Sequence, residues 1–159
     1  MGLDMYIYKT KKTSHSIEEL CDLDNNPKED DPAVEIFLPL NIPFPDHFPN
    51  HRSIFTQVAY WRKFNALHNW FVNHVQVGID DCNYYELFQD HLVDLIDTLQ
   101  HVLDKQDPTD FEPTAGFFFG STEVDEYYWE LVEITLDEMK HVLDDFDWEN
   151  ERMFYYSSW

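Results

Sequence analysis

Along residues 3–8 apolar and more polar side chains alternate with a period of two, which puts Leu3, Met5 and Ile7 on one face of a predicted strand. From 56 to 77 the rhythm changes. Trp61, Phe64, Leu67, Phe71 and Val75 recur at steps of three and four, the spacing of one helix face, and Gly78 supplies a stop. A second helix is predicted over 85–105, with Phe88, Leu92, Leu95, Ile96, Leu99, Val102 and Leu103 as its apolar stripe and Pro108 soon after its end. A third, over 124–145, turns Tyr128, Leu131, Val132, Leu136, Met139, Val142 and Leu143 inward, with Ser121 or Thr122 available as N-cap. Between these two helices the run Gly116-Phe117-Phe118-Phe119-Gly120 reads as a strand, being short, aromatic and bracketed by glycine. Residues 153–159 read as a closing strand.

Residues 13–57 follow neither rhythm. A charge-rich stretch at 25–31 precedes a candidate strand at 34–38, and prolines at 39, 43, 45 and 49 then remove backbone donors and exclude a regular helix. The region reads as a variable, Pro- and acid-rich surface insertion. The expected architecture is one α+β domain over 1–159. Three helices pack on a small, mainly antiparallel sheet built from the first strand, 116–120 and the last strand.

Composition narrows the setting. With 43% apolar and 17% aromatic residues in 159, the chain can build a sizeable core, so disorder throughout is not expected. No run approaches the roughly 20 apolar residues of a membrane span, and residues 1–12 lack the apolar core of a signal peptide, so neither insertion nor export is predicted. Tyr6 stands where a myristoylation motif has Ser or Thr. Cys21 and Cys82 form no paired framework and are expected to be reduced thiols, which suits a cytoplasmic setting.

Charge changes the picture most. The net charge is -22, and it is unevenly placed: 10 acids and 7 bases over 1–79, against 22 acids and 3 bases over 80–159. Such a surface repels nucleic acid and anionic lipid, which need Lys and Arg to neutralise phosphates. Glu126, Glu130, Glu133 and Asp137 follow at steps of four, three and four, opposite the apolar stripe of the third helix, and Asp90, Asp94 and Asp97 do the same on the second. Each like-charged neighbour pair costs a helix about 0.2–0.5 kcal/mol. At about 1.5 Å per residue the carboxylates recur about every 5 Å, comparable with phosphates along a nucleic-acid strand. Two readings fit: solvated faces that keep an aromatic-rich chain soluble, or a surface that imitates DNA toward a basic protein.

Sites for chemistry are scarce. Asp46, His47 and His51 have ligand-like spacing but sit among prolines, and His68 and His74 are six apart, so no metal is expected and no cofactor is implied. Phosphate-cradling glycine loops, G-x-S-x-G and Cys-x-x-Cys are absent from the sequence, and carboxylates are too many for an acid and a base to be chosen, so the chain does not read as an enzyme. One constellation gathers scarce cations with aromatics: Tyr60, Trp61, Arg62, Lys63, Asn65 and His68. Converging, these could hold an anionic, nucleotide-like ligand by charge-assisted hydrogen bonds and stacking. The alternative is ordinary ion pairing of Arg62 and Lys63 with a satisfied, half-buried His68.

Met1 to Tyr6, Val58 to Lys63, Asn65, His68, Trp70 to Val72, Asp80 to Cys82, Gly116 to Thr122 and Phe154 to Trp159 resemble a family of small bacteriophage and prophage proteins that open Met-Gly-Leu-Asp-Met-Tyr. The resemblance reaches both ends of the chain but not residues 13–57, and Glu149–Met153 departs from the family's compact ending. It implies a phage origin and brings no activity with it. By analogy it suggests an accessory protein of host takeover or counter-defence, working in the cytoplasm of the infected bacterium. The expected partner is a host protein with a basic surface, such as a nucleic-acid-binding defence factor, bound and inhibited through the acidic faces. The alternative is a sponge for an anionic nucleotide-type immune signal, held around Arg62, Lys63, Asn65 and His68.

Overall fold

Strands from the two ends of the chain pair with each other. β1 (Asp4–Lys11) and β4 (Glu151–Ser158) run antiparallel in unbroken register, from Asp4 opposite Ser158 to Lys11 opposite Glu151. β2 (Thr56–Arg62) joins the outer side of β1 and β3 (Tyr85–Leu87) the outer side of β4, giving a four-stranded antiparallel sheet in the order β2-β1-β4-β3. The helices are α1 (Ile17–Asn25), α2 (Asn65–His74), α3 (Gln89–Lys105) and α4 (Glu126–Asp145), with a 3-10 turn at Pro108–Asp110. This computed structural model describes residues 2–25 and 54–159. No described helix is long and apolar enough to cross a membrane.

The period of two in the strands sorts side chains onto two faces. On one, Met5 and Ile7 lie opposite Trp61, Ala59 and Tyr155, and with Leu87 and Met153 they join a single core with α2, α3 and α4. Burying each large aliphatic or aromatic side chain there contributes about 1.5–3 kcal/mol, which is what holds these amphipathic helices in place. Phe71 of α2 stacks on Tyr155 with ring centres 4.0 Å apart. The other face carries Tyr6, Tyr8, Phe154 and Tyr156, and α1 covers part of it through Leu20 and Leu23, together with Ile54 and Phe55.

The α+β class and the first and last strands agree with the sequence reading, whereas four of its elements need correction. The helix expected over 56–77 is β2 followed by α2. Thr56, Val58, Tyr60 and Trp61 favour extended chain, and β1 offers them a partner edge. Residues 85–87 form a strand before α3, which leaves Phe88 exposed instead of on the apolar stripe. Residues 116–120 are a tight turn, not a strand. Its backbone meets β1's end only through Leu3 N–H to Phe118 O at 3.1 Å, and Phe119 folds back so closely that a Cβ on Gly116 would lie 2.5 Å from its ring. The N-cap of α4 is neither Ser121 nor Thr122 but Asp125, whose carboxylate accepts from Tyr128 N–H at 3.0 Å.

The region 13–57 is not wholly an insertion either. Ser16 and Glu19 cap α1 reciprocally, Ser16 N–H to Glu19 Oε2 at 2.8 Å and Glu19 N–H to Ser16 Oγ at 3.2 Å, and the sheet gives Leu20 and Leu23 a surface to bury against. Ile54 and Phe55 belong to the same cluster, and β2 begins at Thr56. The candidate strand 34–38, the prolines and the trio Asp46, His47 and His51 lie outside the described residues.

Candidate functional site

The acidic faces stand where their spacing put them. In α3 the buried positions Leu92, Leu95, Leu99 and Val102 define one side, and in α4 Tyr128, Val132, Thr135, Leu136 and Met139 do the same. Asp90, Asp94 and Asp97 on α3 and Glu126, Glu130, Glu133 and Asp137 on α4 are all exposed on the opposite sides. The two helices pack antiparallel: the Tyr128 hydroxyl near the start of α4 donates to Phe111 O beyond the end of α3 at 2.8 Å, and Lys140 donates to Gln100 at 3.1 Å.

Among the described residues no Lys or Arg forms an ion pair with any of these seven carboxylates, and several of the cations are engaged elsewhere. Lys9 and Lys11 both reach Glu151, at 3.0 and 3.1 Å. Arg152 holds Glu86 with two bonds of 2.8 and 2.9 Å and lies 5.0 Å from the centre of the Phe154 ring. Lys140 is spent on a neutral amide. The helical layer therefore keeps its charge.

The six residues of the alternative pocket are only partly brought together. Tyr60 points to the tyrosine side of the sheet and donates to Asp4 at 2.6 Å, while Trp61 points into the core and donates to the Thr135 hydroxyl at 3.0 Å. The chain then leaves the sheet through Lys63, at φ 57, whose N–H donates to Leu3 O at 2.8 Å. Arg62 and Lys63 are exposed, Arg62 about 4.0 Å from Asp4, and with Asn65 they line a cleft of about 310 Å³ beside Tyr127 and the start of α4. Asn65 is already committed, donating to Phe119 O at 3.1 Å and Ser121 O at 2.8 Å, and Glu123 and Asp125 share the cleft's rim with the two cations.

His68 is fully buried and belongs to a polar chain that the sequence did not disclose. Its Nδ1 lies 2.8 Å from the Tyr155 hydroxyl and its Nε2 3.0 Å from Asp80 Oδ1. A carboxylate only accepts, so Nε2 carries the proton toward Asp80 and Nδ1 accepts from Tyr155. Burial lowers the proton affinity of His68 more than Asp80 raises it, and burial pushes the Tyr155 hydroxyl up. The network pins the turn after α2, where Val77 and Gly78 have φ of 55 and 79, onto the central strand. With Tyr155 and His68 sealed from solvent, it is a structural tie and not a place where a substrate could reach.

The tyrosine face of the sheet also escaped the sequence reading. Tyr84 stacks on Tyr156 at 4.6 Å and on Phe55 at 5.1 Å, and Tyr6 stacks on Tyr8 at 5.4 Å. Burial pushes the Tyr8 hydroxyl up to about 12. The alternation of Met5-Tyr6-Ile7-Tyr8 carried the signal, since one face of that strand is aliphatic and the other aromatic. No protein-family model matches this chain, and neither a curated protein nor a solved structure is similar to it.

Proposed function

We propose that this is a phage-encoded accessory protein, acting in the cytoplasm of the infected bacterium, that binds and inhibits a basic host protein such as a nucleic-acid-binding defence factor. The acidic outer faces of α3 and α4 would take the place of DNA. One observation carries the reading. Seven exposed carboxylates at helical spacing have no cationic partner among the described residues, while Lys9, Lys11 and Arg152 pair with carboxylates of the sheet. Each neighbouring like-charged pair on these faces costs stability, a cost that a partner's cations would relieve.

The test is capture of host proteins on the immobilised full chain, beside a chain carrying Glu126→Lys, Glu130→Lys, Glu133→Lys and Asp137→Lys. The expected result is a captured nucleic-acid-binding protein that is released by double-stranded DNA and by salt, and lost on the reversed face. Capture that survives the reversal, or that DNA does not displace, would sink the proposal.

The second reading, a sponge for an anionic nucleotide, draws support from the cleft shared by Arg62, Lys63 and Asn65. A thermal-shift series with cyclic dinucleotides and ADP-ribose tests it. A shift abolished by Arg62→Ala favours the sponge, and the absence of any shift argues against it.

A further inference from the structure

Ile7 pairs with Ala59 and Tyr8 with Gln57, so Val58 is the extra residue of a β-bulge in the edge strand β2. Bulges interrupt regular pairing and re-aim side chains. Here Val58 lines a cleft of about 460 Å³ between β2 and the C-terminal half of α4, with Val142 and Phe146 as its other apolar walls. Glu138 stands in this cleft half-buried, with no hydrogen bond or ion pair among the described residues, and burial raises the pKa of its carboxyl. Asp145, two turns further along the same side of α4, lies about 10 Å away along the axis at the cleft's rim. The cleft's own cation, Lys9, is drawn to Glu151 at 3.0 Å, a carboxylate it shares with Lys11, and His141 is turned to the Asp137 carbonyl at 2.7 Å.

An unpaired carboxylate among apolar walls is costly until a cation meets it. Lysine and arginine side chains combine an apolar stem with a charged head, and arginine is a frequent anchor of protein interfaces. A phosphate would be repelled by Glu138 and Asp145, and a bare divalent ion would lack the oxygen ligands it needs.

We propose that this cleft receives a lysine or arginine side chain of the basic partner protein, the stem lying on Val58, Val142 and Phe146 and the cation meeting Glu138, with Asp145 at the rim. The inference rests on the reading of the protein as a binder of basic surfaces, and it names the anchor of that contact.

The experiment titrates the 15N-labelled full chain with n-butylguanidinium, which carries the arginine head group on a stem equivalent to Cα through Cδ, and separately with n-butylurea, its neutral analogue. Saturable amide shifts are expected at 57–58 and 138–146 with n-butylguanidinium. They should be about tenfold weaker with n-butylurea and in Glu138→Gln, since the charge-assisted bond is missing in each. Val58→Ser, which keeps the carboxylate, should also weaken binding. Shifts spread evenly over the exposed carboxylates of α3 and α4, or affinity unchanged by Glu138→Gln, would overturn the assignment. The two proposals can fail separately. If the probe fills the cleft but no basic protein is captured, the cleft stands and the wider reading falls. If a basic protein is captured while the amides of the cleft do not move, the cleft assignment falls alone.

Discussion

Glu126, Glu130, Glu133 and Asp137 form three successive like-charged neighbour pairs on α4, each repelling by about 0.2–0.5 kcal/mol. In the double variant Glu130→Lys/Asp137→Lys the sign alternates along the stripe. Each pair then attracts by a similar amount, a swing of about 0.4–1 kcal/mol per pair; Asp137 and Lys140, three apart, swing the other way once, which leaves a net gain of about 1–2 kcal/mol. None of the four has a cationic partner among the described residues, so no existing ion pair is given up, and the buried side of the helix is untouched. For a domain of this size the gain corresponds to a Tm higher by about 2–8 °C. Thermal and urea unfolding followed by circular dichroism would measure it at about 20 mM and about 0.5 M salt, where the gain should shrink as screening shortens the range of the charges. The same variant should capture less of the DNA-displaced host protein. A Tm that does not rise, or a rise independent of salt, would refute the claim that these carboxylates repel one another. A more stable protein that binds as before would show that the stripe is not the interface.

Three further outcomes follow from the geometry. Because burial lowers the proton affinity of His68, the unfolded chain takes up its proton first as pH falls. Stability is full above the ordinary histidine value of 6.5 and declines below it, so the loss between about pH 7.5 and 5.5 should be shallower in His68→Gln when unfolding is measured across that range. Trp61→Phe strands the fully buried Thr135 hydroxyl and should cost about 1–3 kcal/mol in urea unfolding, an effect absent if that bond contributes nothing. Gly116→Ala drives a methyl against the Phe119 ring at 2.5 Å and should cost about 1–3 kcal/mol, and a neutral result would mean that the turn at 116–120 is free to open.

Local periodicity was enough to place β1 and most of α3 and α4, because the apolar residues repeat at one period along most of each, whereas the closing strand shows as a short unbroken run, Met153 to Tyr156, with buried residues on both faces of the sheet. It was also enough to put seven carboxylates on outward faces, since a residue opposite a buried stripe has nowhere else to point. It failed at 56–65. Trp61 and Phe64 face inward whether the chain is a helix or a strand leading into one, so their spacing could not decide, and the open edge of β1 did. That change from a period of two to one of 3.6 is also why the constellation from Tyr60 to His68 does not converge. Tyr60 and Trp61 emerge on opposite faces of the sheet, and His68 turns inward toward partners 12 and 87 residues away. The bulge that sets Val58 in one cleft with Glu138 likewise exists only between strands. Charge and periodicity are properties of short stretches and survive in the sequence; the pairing of distant stretches, which closes clefts and buries polar chains, is settled only when the sheet forms.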